Sequence, residues 1–144
     1  MYYVFCSGCK RDFGGDFLRL IIGGTGQGKL DFAVNKYGIN PDKAADGEEF
    51  DMNDLTHISC IYNYHLTVGR LLEKGENPID FTKKILAGKS DIIIIMNEIG
   101  NGIVPLEKKE RIFREQVGRT GCFLAENAVT VERIVCGIAV KIKG

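Results

Sequence analysis

The sequence predicts an α/β protein, a three-layer fold in which helices cover both faces of a mainly parallel sheet. Three observations predict it. The apolar run "FLRLII" at 17–22 leads directly into the glycine-rich stretch "GGTGQGK" at 23–29, and helically spaced apolar residues follow. The run "DIIIIM" at 91–96 is continuously apolar, as a strand buried on both faces requires. Strand-like and helix-like segments alternate along the chain, which implies parallel strands joined by right-handed crossovers.

The elements follow in order. Residues 17–22 read as a buried strand, and apolar residues at 30, 33, 34 and 37 read as a helix stopped by Gly38. "INPDKAADGEEFDMNDL" at 39–55 is polar and acidic, does not match the spacing of a calcium loop, and reads as a solvated loop. "LTHISC" reads as a short strand, and residues 61, 64, 68, 71 and 72 as one helical face ending at Gly75. Asn77 and Pro78 read as the cap and first position of a helix that ends at Gly88. After the 91–96 strand come the polar pair Asn97 and Glu98 and a glycine turn. From Leu106, residues 113, 116, 117, 120, 124, 127 and 128 trace a long amphipathic helix, and "VERIVCG" and "IAVKIKG" read as one or two closing strands.

The glycine stretch carries the chemistry. Its G-x-x-x-x-G-K spacing between a strand and a helix is that of a phosphate-binding loop, so the expected fold is P-loop NTPase-like. The candidate binding residues are Gly23, Gly24, Thr25, Gly26, Gln27, Gly28, Lys29 and Leu30. Glycines let backbone N–H groups face phosphate oxygens, and the following helix presents its positive end to the same anion. Lys29 is the candidate catalytic cation over the β and γ phosphates. Leu30 occupies the position where a hydroxyl ordinarily holds magnesium, so the loop keeps its anion cradle and offers a weakened Mg2+ site. Water or the Thr25 hydroxyl is the available substitute.

Glu98 is the second candidate catalytic residue, because open parallel sheets put ligand-binding groups at the carboxyl ends of their strands. Two readings of it stand side by side: a group that holds a metal-bound water or accepts a proton, with Asn97 beside it, or an acid that caps the turn. Arg114 and Arg119 lie on or near the long helix, where a solvated face is the ordinary fate of an arginine. His65 falls beside an apolar helical face and reads as a packed histidine, while His57 has no recognisable partner.

Composition bounds the rest. With 144 residues and 44% hydrophobic content the chain reads as one domain, 1–144, with residues 1–16 as an N-terminal extension. Nineteen basic residues balance nineteen acidic ones, so no global field recruits nucleic acid or an anionic membrane. The longest apolar stretch is far short of the roughly 20 residues that span a bilayer, and the first ten residues do not read as a signal peptide. A cytoplasmic protein is expected. Five cysteines at irregular spacing read as reduced thiols. Cys6 and Cys9 form a lone C-x-x-C, read as part of a short hairpin-like extension in preference to a metal or redox site, and no metal ligands are assigned.

Three stretches together, "IIGGTGQGK", "MNEIGNGIVPLEKKERIFREQVGR" and "CGIAVKIK", resemble the bifunctional adenosylcobinamide kinase and adenosylcobinamide-phosphate guanylyltransferase family of cobalamin biosynthesis. The N-E-x-G-x-G-I-V-P turn, the F-R-x-x-x-G-R helix and the closing G-x-x-x-K-I-K strand occur in the family's order across residues 91–143. The resemblance implies a P-loop α/β fold, homotrimeric assembly, ATP or GTP as cofactor and a corrinoid substrate. The implied reaction is phosphorylation of the adenosylcobinamide hydroxyl, followed by transfer of GMP through a covalent histidine.

This chain departs from the family at nucleotide chemistry. It has no tryptophan, although the family's guanylylated histidine lies near a W-x-T-E element, and its segment between Gly38 and Cys60 is short and acidic. Neither His57 nor His65 is therefore assigned that role. Ser59 precedes Cys60 where the family has an acid that helps bind the nucleotide, and residues 1–16 precede the family's usual start. The expectation is a shortened, nucleotide-binding member in which guanylyl transfer is lost. The alternative is a catalytically inactive nucleotide- or phosphate-binding module that retains the fold.

Overall fold

The computed structural model describes residues 17–89, 91–99 and 102–144. The expected extension at 1–16, with Cys6 and Cys9, lies outside the described residues. Strand β1 (Phe17–Gly23) runs into the glycine loop and helix α1 (Lys29–Tyr37). A single 3-10 turn (Pro41–Lys43) precedes the short strands β2 (Ala44–Asp46) and β3 (Cys60–Tyr62). Helices α2 (Tyr64–Glu73) and α3 (Pro78–Gly88), strand β4 (Asp91–Asn97), helix α4 (Lys108–Asn127) and strands β5 (Thr130–Val135) and β6 (Ile138–Lys143) complete the chain.

The sheet order is β2-β3-β4-β1-β5-β6, parallel throughout except for the antiparallel β5–β6 pair. Strand β1 sits between β4 and β5, with Gly23 beside both Asn97 and Ile134. The carboxyl ends of three strands therefore converge where the glycine loop begins.

Side-chain alternation builds the two cores. Ile92, Ile94 and Met96 pack with Val68, Ile85, Leu86, Val117 and Leu124 under α2, α3 and α4. Ile93 and Ile95 pack on the opposite face with Ile21, Ala33 and Ile134 under α1. The isoleucine run is buried on both faces, as its composition requires, and each isoleucine taken from water contributes about 1.5–3 kcal/mol. Helix ends also follow the sequence. Asn77 Oδ1 accepts from the N–H groups of Ile79 and Asp80 ahead of Pro78, and the N–H of Gly38 closes α1 on the Val34 carbonyl.

Two expectations are corrected. The acidic segment is not wholly solvated loop, because it contains β2, which pairs in parallel with β3, and it buries Phe50 to 8% exposure. Its polar look comes from Asx turns, in which Asp46 and Asp51 accept from N–H groups two residues on. The strand expected over "LTHISC" begins only at its last residue, so Ile61 belongs to β3 and the following helix starts at Tyr64. Arg70 donates to the carbonyls of Gly47 and Phe50 and holds the acidic segment against α2.

Candidate functional site

The glycine loop leaves β1 at Gly23, whose backbone has φ 155°, and a Cβ there would lie 2.6 Å from the Ile134 carbonyl oxygen. Only glycine fits between β1 and its neighbour. Gln27 anchors the far side of the loop: its side-chain oxygen accepts from Cys136 N at 2.6 Å, and its carbonyl accepts from Gly137 N at 2.9 Å. The β5–β6 turn thus grips the loop.

Lys29 is the first residue of α1, and its side chain folds back so that Nζ donates to the Gly24 carbonyl at 2.5 Å. It is 8% exposed. Burial holds its pKa below the ordinary lysine value, an effect opposed by the nearby Glu98 carboxylate. The Thr25 hydroxyl accepts from Asn97 Nδ2 at 3.0 Å, which ties the loop to the end of β4. Between the loop, the start of α1 and the residues Tyr62, Asn63 and Asn97 lies a cavity of about 430 Å³.

Glu98 lies just past β4. Its N–H donates to the Gly23 carbonyl at 3.0 Å, and its carboxylate takes a two-pronged ion pair from Arg133 on β5, at 2.8 Å from Nε and 2.9 Å from Nη2. Sequence reasoning missed Arg133. The pairing spans 35 residues and exists only because β4 and β5 flank β1 at the same height. Asn63 and Tyr62 were likewise missed. Asn63 stands in the left-handed region at φ 53°, a short polar residue suited to that turn, and this is the one local signal.

The histidines separate. His65 is buried on α2, as its place beside the apolar face implies, and Nδ1 accepts from Asn97 N at 3.3 Å. Burial lowers its pKa and the Lys29 charge lowers it further, with Asp46 acting weakly the other way. Because the folded pKa lies below the ordinary 6.5, the unfolded chain takes up protons first. Stability is therefore full above about pH 6.5 and falls as pH drops through that value toward the lowered one. Replacing His65 with Gln is expected to flatten this limb, read as Tm against pH, and an unchanged limb would remove His65 as its source. His57 stays exposed in the segment before β3.

The remaining candidates lie elsewhere. Arg114 donates to the Ile103 carbonyl, Arg119 pairs with Glu115 one helical turn away, and neither lines the cavity. The Ser59 backbone is committed to Lys43 and Ile93, and Cys60 is fully buried, which pushes its thiol up to about 12. Leu30, by contrast, is partly buried: it packs against the core under α1 and also lines the cavity. Among the described residues no cluster of His, Cys, Asp and Glu could hold a metal ion. With Leu30 offering no oxygen at the cavity and Glu98 paired with Arg133, the donor set does not fit the usual P-loop magnesium site.

The family model for cobinamide kinase / cobinamide phosphate guanyltransferase matches residues 62–142, more than half of the chain. The chain belongs to that family. Glu98, Arg133 and the β5–β6 turn lie inside the matched segment of this cobinamide kinase / guanyltransferase family member, and the loop at 23–29 lies before it. Over 52 residues the chain is 44% identical to the bifunctional adenosylcobalamin biosynthesis protein CobU of Escherichia coli (strain K12) and, equally, to that of Salmonella typhimurium (strain LT2). The aligned stretch covers 36% of this chain and 29% of either relative's length. No helix among the described residues is long and apolar enough to cross a membrane.

Proposed function

We propose that this family member is a nucleotide-dependent phosphotransferase that takes ATP or GTP on Gly23–Lys29 and transfers the γ-phosphoryl group to the hydroxyl of a corrinoid such as adenosylcobinamide. The observation that carries the reading is Lys29, a buried lysine at the mouth of a G-x-x-x-x-G-K loop, folded onto the loop's own Gly24 carbonyl. Loop N–H groups and the Lys29 ammonium neutralise the developing phosphoryl charge. Glu98, once released by Arg133, accepts the substrate hydroxyl proton as its oxygen attacks phosphorus and the nucleoside diphosphate leaves. Guanylyl transfer is absent from the proposal because no histidine occupies a suitable segment.

The proposal includes a cytoplasmic homotrimer. The outward row Ile138, Val140 and Ile142 on β6, each more than half exposed, supports association of copies, which light scattering would measure.

The test is titration with ATP and GTP, with and without magnesium, followed by transfer of labelled γ-phosphate to adenosylcobinamide. Glu98→Gln is expected to retain nucleotide binding and to lose about 100-fold or more in turnover. The Leu30 substitution and the Glu98–Arg133 pairing favour a second reading, a binding module without turnover. Micromolar binding with no transfer would establish it and remove the kinase. A GMP adduct on His57 or His65 after incubation with GTP would overturn the stated loss of guanylyl transfer.

A further inference from the structure

Asn97 closes β4 at the wall of the phosphate-side cavity, where β4 has outrun one of its neighbours. Strand β3 ends at Tyr62, and the chain turns at Asn63 into α2. N–H groups two residues apart point to the same side of a strand. The Ile93 N–H donates toward β3, to the Ser59 carbonyl at 3.0 Å, and the Asn97 N–H, four residues on, faces the same way after β3 has ended. His65 takes the vacant place: its Nδ1 accepts from Asn97 N at 3.3 Å. On the other side the Gly23 carbonyl of β1 holds the Glu98 N–H at 3.0 Å. The end of β4 is therefore clamped twice, by the backbone of β1 and by one imidazole of α2.

Asn97 passes the constraint on. Its Nδ2 donates to Thr25 Oγ1 at 3.0 Å, and Thr25 belongs to the glycine loop and to the cavity wall. A chain of hydrogen bonds thus runs from α2 through the end of β4 into the loop. Its first link needs a neutral ring with the proton on Nε2, because only that form has a lone pair at Nδ1. Burial and, after it, the Lys29 charge lower the pKa of His65 and keep the ring neutral at neutral pH, with Asp46 acting the other way. The ring is 7% exposed in the first turn of α2, so it has little room to leave its partner.

We propose that His65 is a positioning residue for the glycine loop: it fixes Asn97, and Asn97 through Thr25 holds the loop in its phosphate-receiving shape. The proposal rests on the reading of Gly23–Lys29 as a phosphate site and deepens it, since it names a group outside the loop that sets the loop's shape. No covalent step falls to the histidine.

Calorimetric titration at neutral pH with ATP and with inorganic tripolyphosphate tests it. His65→Leu fills the space but offers Asn97 no acceptor, and is expected to lower both affinities about tenfold, the order of one lost hydrogen bond. His65→Asn sets an amide oxygen at the height of Nδ1 and is expected to stay within about twofold of wild type. Asn97→Ala keeps the backbone N–H that His65 receives but cuts the link to Thr25. Adding His65→Leu to Asn97→Ala is therefore expected to change affinity by less than about twofold, the non-additivity of residues that act in one chain. Nitrogen NMR of the wild-type imidazole does not depend on how any variant folds, and is expected to show the proton on Nε2 with Nδ1 as acceptor.

Wild-type affinities in His65→Leu overturn the proposal, as does an equal loss in His65→Asn. So does a tenfold loss that persists in the Asn97→Ala background, or a ring protonated at Nδ1. In each of these cases, loss of tripolyphosphate binding in Lys29→Ala leaves the loop reading standing. Failure of the wild-type chain to bind either probe overturns both.

Discussion

Lys29→Ala is expected to weaken ATP and GTP binding by up to about 100-fold, because a charge-assisted contact contributes about 1.5–3 kcal/mol. Turnover should fall further, since developing charge on the transferred group loses its nearest cation. Lys29→Arg should not restore either property. The site is shaped for a slim ammonium at 8% exposure that bonds the Gly24 carbonyl, and a planar guanidinium is a different shape. The alkaline limb carries a second signature of the same residue. The charged form binds phosphate, and burial sets the pKa below 10.5, so affinity of the wild-type chain should decline as pH rises through that lowered value, earlier than an ordinary lysine would dictate. Unaltered nucleotide affinity in Lys29→Ala would overturn the assignment of the loop.

Gly47→Ala should be the most damaging single-methyl change to the fold, by about 3 kcal/mol and roughly 10 °C in Tm. A Cβ at Gly47 would stand 2.2 Å from the Asn63 carbonyl oxygen and 2.7 Å from the Thr67 hydroxyl. Asn63 cannot yield, because Gly47 N donates to the adjoining Tyr62 carbonyl at 2.7 Å and Asn63 is held at positive φ. The damage should spread to function, since Asn63 lines the phosphate-side cavity and His65, two residues on, steadies Asn97. Thermal unfolding followed by circular dichroism measures it. A Tm within a degree or two of wild type would mean that the Gly47–Asn63 approach relaxes at little cost.

These residues also show what sequence reveals. Strand β4 was legible because burial on both faces leaves a run of isoleucines that no exposed segment would carry. The start of α3 was legible because Asn-Pro encodes a cap by local chemistry alone. The glycine loop was legible for the same reason, its spacing being dictated by backbone geometry within seven residues. Strand β2 was not: it is three residues long, only half-buried, and set among acids whose side chains make their own turns. Arg133 and Glu132 were hidden for a different reason. Both are adjacent charged residues in a short closing strand with no local partner, and each acquires its partner, Glu98 or Lys36, only through the order in which strands assemble. Local chemistry shows in a single sequence, whereas long-range pairing needs the topology.

The ion pair between Glu98 and Arg133 also bears on the proposed mechanism. The carboxylate proposed as proton acceptor is paired with a cation from the neighbouring strand, and on the proposed mechanism this latch must open before Glu98 accepts a proton. The latch is shallow. Arg133 is about half exposed, and such pairs are worth no more than about 1 kcal/mol. Opening it therefore taxes activity by roughly fivefold at most. A polyanion in the adjoining loop gives the freed arginine somewhere to turn. On the proposed mechanism the charge of a bound nucleotide would help to free Glu98 from Arg133.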